Sequence, residues 1–143
     1  MLLSICIPTY NRSKQLDNCL NSILIASKKV NKFDFEVCIS DNNSEYNLSK
    51  ILDKYKDNFR INFNKNSENL GFAINGIKTV KMASGEYSWM IGDDDLILPE
   101  TFVKLEKIFK NNLDKDYFFV NSYHLDSSYI NNFTTPFDTN YLN

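Results

Sequence analysis

Short apolar runs along this chain alternate with stretches in which apolar residues recur every three or four positions, the two periods that mark buried strands and amphipathic helices. Leu3 to Ile7 is a β-prone run stopped by Pro8, the pattern of a buried parallel strand. From Ser13, a good N-cap residue, Leu16, Cys19, Leu20, Ile23 and Leu24 fall at helical spacing. Phe35 to Ile39 predicts a second strand, Leu48, Ile51, Leu52 and Tyr55 a second helix, and Ile61 to Phe63 a short third strand. Gly71 to Met82 predicts a helix on which Ile74, Ile77, Val80 and Lys81 form one mostly apolar face, with Gly85 as its C-terminal stop. Tyr87 to Ile91 predicts the next strand, Phe102, Leu105, Ile108 and Phe109 the helix after it, and Tyr117 to Val120 a further strand. This alternation predicts an α/β fold with a mostly parallel sheet flanked by helices.

In such a sheet the ligand crevice lies at the carboxyl ends of the strands, so the residues just after each strand carry the chemistry. Those ends read Pro8-Thr9-Tyr10-Asn11-Arg12, Asp41-Asn42-Asn43-Ser44, Asn66 to Gly71, and Asp93-Asp94-Asp95. The last is the most informative, because three consecutive carboxylates sit between the apolar runs ending at Ile91 and starting at Leu96. Adjacent like charges stay ionised only where water, a cation or hydrogen-bond donors compensate them. Mg²⁺ or Mn²⁺ would do so with hard oxygen ligands, held by one or two carboxylates and the phosphates of a substrate. The plain alternative is a solvated acidic turn capping the helix near Pro99, and each of the other ends alone would pass for a turn. Four polar ends gathered by one fold point instead to nucleotide recognition. Asp41 can accept from a base N–H, Tyr10 can stack, Thr9 and Asn11 can bond ring or ribose groups, and Arg12 can reach a phosphate. With only 4 Gly in the chain, and neither GxxxxGK[ST] nor GxGxxG, a glycine phosphate cradle is not available.

The chain has 143 residues, 43% of them hydrophobic, enough for one domain with a buried core. A net charge of −2 without a local basic cluster gives no footprint for nucleic acid. Cys6, Cys19 and Cys38 lie in apolar segments without CxxC spacing, so they read as buried thiols of a reducing compartment, with neither disulfide nor zinc expected. No apolar run approaches a membrane span, which predicts a cytoplasmic protein, at most peripheral at the inner face of a membrane.

Taken in order, Ser4 to Arg12, Val37 to Ser44, Asn69-Leu70-Gly71 with Asn75-Gly76, Ala83 to Tyr87, and Gly92 to Asp95 with Pro99 resemble the successive blocks of family 2 glycosyltransferases. The likeness covers about the first 110 residues and is greatest to the abequosyltransferase-like subgroup of surface polysaccharide assembly. It implies a GT-A, Rossmann-like fold that is C-terminally truncated here. Residues 1–120 would be the nucleotide-sugar-binding core, and 121–143 an irregular tail or the start of the acceptor region. It implies that Pro8, Thr9, Tyr10 and Asn11 line the base and ribose pocket, that Asp41 binds the base, and that Asn69, Gly71 and Asn75 shape the wall near the ribose and diphosphate. Asp93, Asp94 and Asp95 would form the DxD-type motif with Mg²⁺ or Mn²⁺, Asp95 as the first metal ligand and Asp93 as the next. Gly92 stands where the family commonly has the first Asp.

The implied reaction transfers a sugar, with inversion, from a nucleoside diphosphate sugar to a glycan or lipid-linked acceptor hydroxyl, deprotonated by a carboxylate base. The family places that base downstream, beyond residue 143. His124 and Asp126 are candidates by residue type only. A non-catalytic nucleotide-binding module and a sugar nucleotidyltransferase are the other readings, and homo-oligomerisation is left open.

Overall fold

The computed structural model describes residues 2–112 and 114–122. Four strands, β1 (Leu3–Thr9), β2 (Phe35–Asp41), β3 (Arg60–Lys65) and β4 (Tyr87–Met90), form one parallel sheet in the order β3-β2-β1-β4. Helices α1 (Ser13–Ser27), α2 (Ser49–Leu52), α3 (Phe72–Lys81) and α4 (Thr101–Asn111) connect and follow them. The chain winds outward from β1 to β3 and then returns to the other side of β1, so the topological switch point lies between β1 and β4.

β1 runs through Pro8 to Thr9 rather than ending at Ile7. Along β1 the groups of Leu2 and Cys6 face β4, accepting from Tyr87 and Ile91, whereas the Thr9 carbonyl faces β2 and accepts from Asn42 N–H. The ring nitrogen of Pro8 therefore points to the β4 side, where pairing has already ended at Cys6 opposite Met90. No ladder bond is lost, so proline is tolerated in a central strand.

The two faces of the sheet differ in kind. Leu3, Ile5, Ile7, Val37 and Ile39 pack with Leu16, Leu20 and Ile23 of α1 and Phe102, Leu105 and Phe109 of α4 into the hydrophobic core. Alternate residues Ser4, Cys6, Glu36, Cys38 and Ser40 make up the other face, and α3 meets it with its own small and polar residues, Asn75, Gly76 and Thr79. The apolar face foreseen for α3 is consequently not the one against the sheet: Phe72 is 77% exposed, Ile77 59% and Ile74 57%.

Two further expectations change. Gly85 does not terminate α3, which ends at Met82 in right-handed conformation. Instead it lets the loop before β4 press against β1, where a Cβ would stand 2.8 Å from Ser4 N and 2.9 Å from Leu3 C. Tyr117 to Val120 is not a strand: among the described residues β4 pairs with β1 alone, and of these four only Phe118 turns inward, edge-on to Tyr87 and Phe109. Ser13 begins α1 but does not cap it; Arg12 occupies the cap position without a side-chain bond.

At the amino end of β2, fully buried Glu36 ties the same loop down. One of its oxygens, Oε1, accepts from Ser4 Oγ at 2.8 Å, Ser84 N at 2.8 Å and Ser84 Oγ at 2.7 Å. Burial works to raise its pKa, but the hydrogen bonds from Ser84 and Ser4 and the charge of Arg60 outweigh it and hold the carboxyl below its ordinary value. The stability it supplies is therefore present above the unfolded-state pKa and lost as pH falls through the lower folded value. Glu36→Gln is expected to lower stability at pH 7 by about 1–3 kcal/mol and to flatten the acid limb of a pH series of urea melts. Gly85→Ala, which must displace backbone, is expected to cost roughly 1–3 kcal/mol in the same assay.

Candidate functional site

The crevice forms where the four strands end, and its centre is the switch point. Thr9, last residue of β1, donates from Oγ1 to Asp93 Oδ2 at 2.8 Å, bridging the ends of β1 and β4. Asp93 is only 6% exposed, whereas Asp94 and Asp95 are open to solvent. Arg12 reaches across from the start of α1, with Nη1 2.7 Å from Asp94 Oδ2 and 3.4 Å from Asp93 Oδ1. Asp93 and Asp94 in turn hold the guanidinium still more firmly protonated. Burial is the main influence on Asp93 and raises its pKa, with the hydroxyl of Thr9 and the charge of Arg12 opposing.

The acidic turn is fixed from below as well. Asp95 Oδ2 accepts from Gly92 N–H at 2.7 Å, closing the turn on itself. Cys19 Sγ lies 3.8 Å from the Gly92 carbonyl, and Ser22 Oγ accepts from Ile97 N–H at 3.0 Å, so α1 grips both ends of the segment. A Cβ at Gly92 would meet Asp94 Oδ1 at 2.7 Å. The carboxylates of Asp94 and Asp95 fold over this position, and glycine leaves room for them.

Asp41 ends β2 on the other side of Thr9. Fully buried, it accepts from Ser44 N–H through Oδ1 at 2.9 Å, while Oδ2 has no hydrogen-bond partner and Lys65 Nζ stands 3.9 Å away. Asn11, at φ 55°, donates its N–H to Ser44 Oγ and accepts from Glu45 N–H, which clips the two loops together. Tyr10 is 42% exposed at the mouth and Pro8 is buried beneath it.

A buried amide network completes the wall. Asn42 Nδ2 donates to Asn69 Oδ1 at 2.7 Å, and Asn42 Oδ1 accepts from Leu70 N–H and Asn66 Nδ2. Asn75 receives bonds from Asn66 Nδ2 and Ser40 Oγ and donates to the Ser40 carbonyl. Lys78 Nζ contacts Asn66 Oδ1 at 2.6 Å. These bonds position the Asn69–Gly71 turn, where Gly71 adopts φ +79°. All eleven foreseen nucleotide-binding residues, with Asp95, thus border or support one crevice. Asn42 and Asn66 were read only as members of polar strand ends, and Ser40, Lys65 and Lys78 were not singled out. A signal for Ser40 and Asn66 was available in the period-two polar positions of β2 and β3 and their ends, Ser40, Asn42, Asn62, Asn64 and Asn66; none marked Lys65 or Lys78. His124 and Asp126 lie outside the described residues, as do residues 123–143 of the foreseen tail.

The profile of Glycosyl transferase family 2 matches residues 4–136. The chain belongs to this family. Abequosyltransferase RfbV of Salmonella typhimurium is 38% identical over 116 residues, covering 80% of this chain and 34% of that protein. Crystal structures of residues 1–349 of TarS from S. aureus, including complexes with UDP and UDP-GlcNAc, superpose with a TM-score of 0.71 at 26% identity, covering 79% of this chain and 33% of that one. The mannosyltransferase PcManGT of Pyrobaculum calidifontis, solved with GDP-Man and Mn²⁺, shares the fold at a TM-score of 0.61 and 18% identity. The chain spans about a third of the length of these relatives.

The geometry makes Thr9 the compensator of a costly buried charge. A raised carboxyl pKa means that the folded state holds its proton more tightly than the unfolded, so Asp93 lowers stability progressively as pH rises from its unfolded value through its folded one. In Thr9→Val that loss is expected to deepen by about 1–3 kcal/mol at pH 7 and to vanish near pH 3, as read from urea midpoints. An equal deficit at both pH values would refute this role.

Proposed function

We propose that this chain is the donor-binding part of an enzyme that transfers a sugar, with inversion, from a nucleoside diphosphate sugar to an acceptor hydroxyl in cell-surface polysaccharide synthesis. The observation that carries the reading is Asp41 Oδ2, a buried carboxylate oxygen without a hydrogen-bond partner at the crevice. Lys65 Nζ stands 3.9 Å from it, beyond hydrogen-bond reach, and Glu36 Oε2 at the other end of β2 is unpartnered too; what sets Asp41 apart is its place at the strand ends, where the N–H of a planar base would satisfy it. Uracil N3–H has the right polarity, and the UDP complexes of TarS support that choice. Tyr10 would stack on the base, Pro8, Thr9 and Asn11 would line the base and ribose pocket, and Asn69, Gly71 and Asn75 would shape its wall.

The acidic turn fits a hard divalent cation in its chemistry. It presents carboxylate oxygens only, and Asp94 and Asp95 are exposed beside the buried Asp93. Among the described residues no group of three or more His, Cys, Asp or Glu forms a ready metal cage. Mg²⁺ or Mn²⁺ held there would complete its shell with water and substrate phosphates. Asp95 and Asp93 would hold it, and when bound it supplies charge neutralisation on the departing diphosphate. Arg12, now paired with Asp93 and Asp94, would turn its fork toward a phosphate as the donor enters. The acceptor base would come from outside residues 1–143, so the chain by itself is expected to bind donor nucleotide and transfer poorly. The acceptor would be a glycan or lipid-linked hydroxyl, reached in the cytoplasm or at the inner face of a membrane; among the described residues no helix is long and apolar enough to cross one.

Calorimetric titration with UDP, CDP, GDP and dTDP, each with Mn²⁺ or EDTA, tests the reading. One diphosphate is expected to bind, more tightly with Mn²⁺, and Asp95→Ala is expected to abolish the metal dependence. In Asp41→Asn, Ser44 N–H still requires the amide oxygen, which turns the amide NH₂ toward the base N–H. Two donors then face each other, and affinity is expected to fall at least about tenfold, or 1.4 kcal/mol. Unchanged affinity in Asp41→Asn would overturn the base assignment, and the absence of binding by all four diphosphates would overturn the reading itself.

A further inference from the structure

Cys6 of β1 and Cys38 of β2 stand opposite each other in register across the central pair of strands. Both belong to the α3 side of the sheet, and both are fully buried free thiols. Neighbouring strands run about 4.8 Å apart, inside the Cα separations of roughly 4.4–6.8 Å that a disulfide accepts. A hydrogen bond already joins the pair. Cys38 donates to the Cys6 sulfur and holds that thiol below its ordinary value, against burial and the charge of Glu36. The same bond, with burial and Glu36, pushes Cys38 up, so Cys6 is the better nucleophile and Cys38 keeps its proton.

We propose that Cys6 and Cys38 form a redox site, a dithiol that a peroxide converts into a disulfide stapling β1 to β2 behind Thr9 and Asp41. The step balances with hydrogen peroxide alone. The Cys6 sulfur attacks one peroxide oxygen, the O–O bond breaks, and the other oxygen leaves as water with the Cys6 proton, which makes a sulfenic acid. The Cys38 sulfur then attacks the sulfenic sulfur. The S–S bond forms, the S–O bond breaks, and hydroxide departs with the Cys38 proton as a second water. Two electrons pass from the sulfurs to the peroxide, and the chain loses two hydrogens.

Access to the pair follows from the way α3 is held. This helix meets the cysteine face with Asn75, Gly76 and Thr79 and keeps Phe72, Ile74 and Ile77 outside, so lifting it exposes little apolar area. Segments with few buried apolar contacts open locally at less than the cost of global unfolding. Cys19 supplies the contrast. It is equally buried, but it lies on α1 in the hydrophobic core, on the other side of the sheet from the pair.

The full chain, at concentrations where sedimentation shows monomer, would be treated with hydrogen peroxide, alkylated and mapped by mass spectrometry. The peptides of Cys6 and Cys38 are expected to be linked, in a chain lighter by two hydrogens that dithiothreitol restores. Cys6 is expected to be consumed at least about tenfold faster than Cys19. In Cys38→Ser, dimedone is expected to trap Cys6 as its sulfenic acid instead; should circular dichroism show that this variant does not fold, the map of the full chain decides alone. Survival of both thiols, or their loss at the rate of Cys19, would overturn the proposal. So would a link between two chains, or one that forms only in urea concentrations at which the chain is unfolded.

Discussion

Everything in this molecule depends on a parallel sheet whose central strands are buried on both faces but clothed differently on each. On the α1 and α4 side, β1 and β2 present Leu, Ile and Val, and the core is held by apolar burial. On the α3 side they present Ser4, Glu36 and Ser40 with two cysteines between, and buried polar groups must be matched by partners. That requirement selects the facing surface of α3. Asn75 answers the Ser40 hydroxyl and carbonyl and the Asn66 amide, while Thr79 satisfies its own hydroxyl on the Asn75 carbonyl; Ile74 and Ile77 can do neither, and they turn outward. The apolar stripe of α3 is thereby displaced from the core by hydrogen-bond demand on the opposite side of the same helix.

The same demand builds the two ends of β2 into opposites. At the amino end, Glu36 collects donors from Ser4 and Ser84 and an ion pair with Arg60, and the result is a fastening between β2, β1 and the loop before β4. At the carboxyl end, Asp41 collects a single backbone donor and has Lys65 3.9 Å from Oδ2; each carboxylate keeps one buried oxygen without a hydrogen bond, Glu36 Oε2 and Asp41 Oδ2. What differs between them is the number of donors, three to Glu36 Oε1 and one to Asp41 Oδ1. The difference follows from the fold: loops at the carboxyl ends part around the switch point, while Gly85 lets the loop at the amino end close tightly.

The acidic turn repeats this economy at the end of β4. Three adjacent carboxylates would repel one another in an unstructured loop. Here Asp93 is drawn inward to Thr9, Asp94 is met by Arg12, and Asp95 bends back to Gly92 N–H. Each charge has a different compensator, so the turn has one defined shape before any ligand arrives, with α1 holding it at Cys19 and Ser22. Preorganisation of this kind reduces what binding must spend on ordering.

The order of strands and helices was legible in the chain because period two and period 3.6 report directly on which residues can share a face. The ordered blocks around Thr9, Asp41, Gly71 and Asp93 likewise identified the family, and the structure brings them to one edge of the sheet because the ends of parallel strands gather wherever such a sheet forms. Which partner each residue takes was decided only in three dimensions. Arg12 reads equally as a phosphate ligand or a counter-ion until β4 places Asp94 2.7 Å away. Gly85 reads as a helix stop until β1 crosses beside it, and Tyr117 to Val120 reads as a strand although the described sheet ends at β4. Sequence period states what an element is able to bury; tertiary packing decides against what, because a hydrogen bond or a close approach between residues far apart in the chain leaves no trace in the local pattern of either.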